Sequence, residues 1–526
     1  SIAAPAFADI YYIGNGSIDV VTKEDADGKK YVEVKQGDKT YTDTSDEIVI
    51  KDGTDEDHTT LREDTRIKEK RAEVAIPDKE RPATQELEAA GSADAAGESQ
   101  PDPDAAFTLS EAEEDSAQTQ EGKDTTEEKK EPAEDSPKED VVYEYAPADP
   151  EPEQQATKPA LSTPEEPEAT APEATQANAP AAAPTTPTAP AADPPAEGSA
   201  DNPTTNVIKV VNNWVGEAAK ELKIRLSNVN IKVEKKVNKA AMDVSGDGKT
   251  KVELDGQNVL DSSGTDYPAS YQAGLRKQGE GTLIITDETD DRGNEITATK
   301  SGTSGSLTAK GAGGNGAAGI GGSAAEGTKN ITIEGYATVH ATGSGNGAGI
   351  GGGGYYGEEK PGDAENIIIQ GYATVDATGD GGGAGIGGGF AGNAKNIIIR
   401  GHSKVKATAR DGAAIGGGSA GWGSYYGGSA KGIVICDHAT VAARSDTGDG
   451  AAIGAAGDNG KDTEAEVTIG TAGATAEQED VHVTASGLYG SAIGSGTKDT
   501  KVTIQGNATI RMESRKNSTA IGSKDG

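Results

Sequence analysis

The feature that most restricts this chain is a glycine-flanked isoleucine that keeps returning. AGIGG begins at 318 and 348, AGIGGG at 384, AIGGG at 414, AIGAA at 452, AIGSG at 492 and AIGSK at 520. The motif isoleucines Ile320, Ile350, Ile386, Ile415, Ile453, Ile493 and Ile521 are spaced by 30, 36, 29, 38, 40 and 28 residues. Constant strands at variable spacing are the signature of a solenoid whose turns differ in loop length. Ahead of five of the seven motifs stands a second pattern. NITIEGYATVHAT (330–342) returns as NIIIQGYATVDAT (366–378) and NIIIRGHSKVKAT (396–408), and more loosely as GIVICDHATVAAR (432–444) and KVTIQGNATIRME (501–513).

Each repeat therefore holds three short strands, and each strand can bury only one face. In NIIIRG, Ile397 and Ile399 share a side, opposite Ile398 and Arg400; in HSKVKAT, Ser403, Val405 and Ala407 share one. A lone repeat would leave its apolar row in water. Stacked repeats pair every strand with the coils above and below at roughly 4.8 Å and enclose a thin core. The fold expected is all-β, a right-handed parallel β-helix, the hand following from the sterics of parallel crossovers. Looser strand pairs upstream, such as KIRLSNVNIKV (223–233) and KVELDGQNVL (251–260), extend the stack to about nine coils over 206–526.

Composition agrees with a thin core: 20 aromatic residues in 526, against 73 glycines. A net charge of −38 argues against nucleic acid, whose phosphates need clustered Lys and Arg. A single cysteine, Cys436, excludes an intramolecular disulfide. Much of the charge sits in one place. Between Pro77 and Pro203 lie 20 of the 23 prolines and 32 Asp or Glu against seven Lys or Arg. Such a span cannot bury enough apolar surface to offset its ordering entropy, so 57–205 is expected to be a disordered Pro/Ala/Glu-rich insertion.

Ahead of it, residues 9–56 read as short strands that cap or begin the β-helix. Ala6-Phe7-Ala8 fits the cleavage site of a secretory signal, so 1–8 are expected to be its residual tail and the protein secreted or displayed at the cell surface. No stretch has the ~20 apolar residues of a membrane-spanning helix. The final AIGSKDG ends inside the pattern, and a further continuation of the chain is expected.

The AGIGGG repeats, the GNGSIDV run (14–20) and the ELDGQNVL and AGLRK segments (253–260, 273–277) carry a resemblance. Over 9–56 and 206–526 the chain resembles secreted β-helix proteins of gut Gram-positive bacteria, usually labelled carbohydrate-binding-domain proteins. The resemblance implies an extracellular glycan-binding or adhesin-like role.

Stacking turns equivalent residues into columns. Tyr336, Tyr372, His402 and His438 form one, either an aromatic strip for a sugar face or a ladder of stacked rings. His340, Asp376 and Lys406 form another, and Glu334, Gln370 and Arg400 a third; both read as solvated faces with paired charges. In the loops after the glycine-rich strands stand Tyr355, Tyr356, Phe390, Trp422, Tyr425 and Tyr426, the expected exposed surface for pyranose rings or a protein contact. Asn315, Asn346, Asp380, Asp411 and Asp449 precede the motif strands and suit left-handed turns. Asp380, Asp411 and Asp449 are also the carboxylates available if Ca2+ binds. Asn330, Asn366 and Asn396 read as an amide ladder.

The function expected is thus non-catalytic binding of a polysaccharide or surface glycan, with no cofactor required and Ca2+ the one ion the turn carboxylates leave open. A polysaccharide lyase or glycoside hydrolase is the enzymatic alternative, and it would place its groups at His340, Asp376 and Lys406. A purely structural surface stalk is the third reading. Ice binding needs a regular Thr array, which the outward series Thr374, Lys404, Thr440, Thr509 interrupts.

Overall fold

A computed structural model describes residues 10–55 and 195–523, apart from residue 46 and breaks at 217–219, 235–236, 264–270, 291–294, 297–304, 314–315, 355–361, 421–426, 458–462, 496–498 and 517–518. The signal-tail reading of 1–8 and the insertion reading of 57–205 fall on residues outside that set, apart from 195–205.

The described residues form a parallel β-helix with three sheets of 11, nine and 13 strands. One coil shows the plan. Ala394–Ile399 lies in the first sheet, Lys404–Ala409 in the second and Ile415–Gly416 in the third. Nine such coils follow one another from Leu222–Ser227 to Ile521–Ser523. Their registers follow the repeats: Ile367, Ile397 and Ile433 pair in the first sheet, and Val375, Val405 and Val441 in the second. In the third sheet the motif isoleucines pair from Ile320 to Ile521.

Burial follows the period of two. Ile397, Ile399 and Ala407 are fully buried, as is Ser403, while Arg400, Lys404 and Lys406 are exposed. The core is one continuous column of Ile, Leu, Val and Ala reaching from Tyr11 to Ile493. Asn330, Asn366 and Asn396 hold φ of +58°, +56° and +53°, which asparagine tolerates. The Asn366 amide donates to Asn330 Oδ1 at 2.9 Å and that of Asn396 to Asn366 Oδ1 at 3.1 Å.

Among the described residues, the first two turns of the stack have no strand in the second sheet. Ile10–Tyr12 and Glu47–Lys51 join the first sheet, and Ile18–Glu24 and Ile208–Val211 the third. Lys30–Gln36 and Lys39–Asp43 extend the third sheet as antiparallel strands at that end. The described residues break off after Asp55 and continue from Pro195. Residues 195–205 are tied to the first coils by hydrogen bonds, although their composition reads as spacer. Gly53 N donates to Glu197 O at 2.5 Å, Thr204 Oγ1 donates to Glu197 Oε1 at 2.8 Å, and Thr204 bridges Ile231. The stretch 195–205, assigned above to the spacer, belongs to the β-helix because its backbone is hydrogen-bonded into the first coils.

Candidate functional site

The turn from the first to the second sheet is four residues long and nearly identical in four coils: Glu334-Gly335-Tyr336-Ala337, Gln370-Gly371-Tyr372-Ala373, Arg400-Gly401-His402-Ser403 and Cys436-Asp437-His438-Ala439. Its second residue is left-handed, with φ of +66°, +69° and +69° at the glycines and +62° at Asp437. That conformation aims the third side chain outward while the fourth turns into the core. Tyr372 N donates to Gly335 O at 2.8 Å and His438 N to Gly401 O at 3.0 Å, which ties each turn to the coil below.

Held at coil spacing, the rings stack. Tyr336 and Tyr372 have centroids 5.0 Å apart, Tyr372 and His402 4.8 Å, and His402 and His438 4.6 Å, with planes inclined by 5°, 7° and 24°. The structure brings these four candidates together, as a ladder rather than a strip. Their faces lie along the stack against one another, so ring edges, not faces, are turned to solvent. Register places Glu288 below Tyr336 and Asp480 above His438.

Beside the ladder runs an open groove of ≈ 390 Å³, lined by Glu288, Glu334, Gln370, Arg400 and Asp437 over a floor of glycine backbone. Its polar groups are tied coil to coil. Gln370 Nε2 donates to Glu334 Oε2 at 2.6 Å, and Arg400 Nε and Nη2 donate to Gln370 Oε1 at 2.9 and 2.7 Å. Gly401 N donates to Asp437 Oδ2 at 3.0 Å. Cys436 continues the Glu334–Gln370–Arg400 column; burial, with Asp437 beside it, pushes its thiol up to about 12. It is therefore a thiol, not a nucleophilic thiolate, at neutral pH. The part Asp437 plays was missed in the sequence. Aligning the four turns shows it standing where three coils have glycine, and that substitution was the available signal.

The other sequence candidates are distributed differently. Tyr355, Tyr356, Trp422, Tyr425 and Tyr426 lie outside the described residues. Phe390 does not belong to an exposed surface: it is only 4% exposed. Its coil turns tightly at 389–393, and the ring lies on glycine. A Cβ on Gly354 would meet Phe390 Cβ at 2.4 Å, and one on Gly382 would meet Cδ2 at 3.1 Å. Asp380 Oδ1 accepts from Gly381 N at 2.8 Å, and Asn346 Oδ1 from Gly382 N at 3.0 Å, both turn contacts. Arg410 stands between Asp380 and Asp411, at 3.6 and 3.7 Å. Asp449 lies in the corresponding turn of the next coil. Among the described residues no three His, Cys, Asp or Glu side chains are grouped to enclose an ion. In the remaining column, Lys406 Nζ pairs with Asp376 Oδ2 at 2.9 Å on an exposed face.

A second polar network escaped the sequence reading because its members come from four separate segments. Arg225, 8% exposed, donates to both oxygens of Asp255 at 2.9 and 3.0 Å, to Glu47 Oε2 at 3.0 Å and to Thr289 Oγ1 at 2.7 Å. Nearby, Asp287 is buried and accepts from Gly305 N at 2.6 Å. Burial, with Glu253 and Asp255 close by, pushes its carboxyl up to about 7.

Comparison with known proteins finds no matching family model, no matching curated protein and no matching solved structure.

Proposed function

We propose that the chain is a non-catalytic carbohydrate-binding rod, secreted or displayed at a bacterial cell surface, that holds an extended polysaccharide along the turn between its first two sheets. The observation that carries this reading is the groove itself. Over four successive coils it presents carboxylate, amide and guanidinium groups at a fixed spacing beside ring edges. A polysaccharide is the ligand whose own repeat can meet such a row, through hydroxyls that both donate and accept. The groove has three carboxylates, Glu288, Glu334 and Asp437, against one guanidinium, Arg400, which favours a neutral or amino-bearing glycan over a uronate. The stalk reading keeps one specific support: the mutual stacking of the ladder rings is what a purely structural column would show.

The test is retention of the full chain on insoluble polysaccharides and on a glycan array, beside an Arg400→Ala, Gln370→Ala double variant. Binding that falls at least tenfold in the double variant, with an unchanged melting temperature, supports the groove. Full retention by the variant, or no retention by the parent on any glycan, leaves the stalk reading in its place.

A further inference from the structure

One lysine stands where the stack elsewhere buries an apolar side chain. In the third-sheet strand Leu275–Lys277 the two end residues are buried and Arg276, between them, is not. The register partner of Lys277 in the coil below is Val244, which is buried. Lys277 is 2% exposed, and no carboxylate among the described residues pairs with it. Arg276, by contrast, is matched by Glu326 and Asp243. Burial without a counter-ion disfavours the charged form of an amine.

The surroundings suit that neutral form. Lys277 Nζ donates to Gln278 O at 3.1 Å and to Gly279 O at 3.0 Å, both in the turn towards the first sheet. Two acceptors match the two N–H groups of a neutral amine and leave its lone pair over. An ammonium would carry a third donor with no partner among the described residues. Burial, the largest influence, pushes this group down to about 8, against the pull of Glu280. About a tenth of it is then neutral at pH 7, against under about a thousandth of an exposed lysine.

Lys277 lines an open cavity of ≈ 250 Å³ at the corner between the third and first sheets. The carboxylates around it are engaged elsewhere: Glu280 with Lys329 at 2.6 Å, Glu365 with Lys395 at 2.9 Å, and Asp363 with Asn393 N at 2.7 Å. Asp247 accepts from Glu280 N at 3.2 Å. None of these residues lines the glycan groove, so the inference goes beyond that reading.

We propose that Lys277 is a nucleophilic amine that condenses in this cavity with a small neutral aldehyde, of the kind an open-chain aldose presents. The nitrogen lone pair attacks the carbonyl carbon and a C–N bond forms. The carbonyl oxygen leaves as water with the two amine protons, and an imine remains. Three carboxylates line the cavity against two lysines, which disfavours an aldehyde that is itself anionic.

Reductive trapping of the full chain with glyceraldehyde and sodium cyanoborohydride at pH 7, followed by peptide mapping, tests it. Hydride delivered to the imine leaves a stable secondary amine at each lysine that has reacted. We expect Lys277 to be labelled at least tenfold faster than the exposed Lys404 and Lys406, with a rate that levels off above about pH 8 while theirs still climbs. The ratio of Lys277 labelling to exposed-lysine labelling should fall at least tenfold with glyoxylate, an anionic aldehyde. Lys277→Met should remove the fast phase from the intact-mass time course; if that variant does not fold, site mapping of the parent decides alone. Labelling of Lys277 no faster than of Lys404 and Lys406 overturns the proposal. An unchanged ratio with glyoxylate overturns the choice of a neutral partner.

Discussion

The carbonyl oxygen of Gly387 lies 1.8 Å from the point that a Cβ on Gly351 would occupy. The same contact repeats along the third sheet. A Cβ on Gly387 would meet Gly416 O at 2.0 Å, one on Gly416 would meet Gly454 O at 1.8 Å, and one on Gly454 would meet Gly494 O at 1.8 Å. These glycines also hold φ of +137° to +143°, which side chains disfavour. The second position of the isoleucine–glycine pair is therefore glycine for two reasons, backbone conformation and the approach of the next coil.

Gly387→Ala is accordingly expected to destabilise the β-helix by more than ~2 kcal/mol, the strain of the dihedral adding to the steric contact. Urea denaturation followed by circular dichroism measures it. A midpoint equal to that of the parent would mean that the coils can separate at this sheet without cost.

Phe390 provides a contrast with the exposed-surface expectation. Its side chain is buried, Cβ against Gly354 and Cδ2 against Gly382, so Phe390→Ala is expected to cost about 3 kcal/mol, as for other large-to-small changes in buried positions. Glycan retention by the folded fraction should remain that of the parent. Lost retention with unchanged stability would return the residue to the binding surface.

On either side of 56–194, Gly53 N donates to Glu197 O within the β-helix. Replacing 56–194 by a short Gly-Ser link should leave the thermal transition of the β-helix within a few degrees of the parent. Loss of cooperativity in the calorimetric trace would show that residues 56–194 are part of the folding unit.

Asp287 sets a pH dependence whose sign follows from its buried state. Its carboxyl titrates near 7 in the fold and near 3.8 when exposed, so the fold favours the protonated form. That contribution is fully present below about pH 4 and is lost as pH rises toward 7. The shift corresponds to at most ~4 kcal/mol, at 1.36 kcal/mol per pH unit. Asp287→Asn should remove this loss and raise stability at pH 7.5 relative to pH 4.5. Identical pH profiles for variant and parent would show the carboxylate to be ionised in the fold at no cost.

The β-helix, its strand faces and its repeat register were legible in the sequence because each depends on local periodicity. Alternation assigns Ile397 and Ile399 to the interior without reference to any distant residue, and copies such as NIIIQG and NIIIRG must pair in register to keep that row dry. Glycine in the motif strand, asparagine at the left-handed position and the ring column follow from the same repetition. The site is less legible. Gln370 bonds Glu334 from 36 residues away and Arg400 from 30, and the loops between coils vary freely in length, so composition alone cannot say which partners meet. The Asp437 carboxylate bonded to Gly401 N, Phe390 folded onto glycine, and Asp287 beside Glu253 and Asp255 were decided by the stack. The sequence by itself determined which face of each strand is dry; only the tertiary structure decided which polar groups are neighbours across coils, because coil-to-coil contact, unlike strand alternation, has no fixed period along the chain.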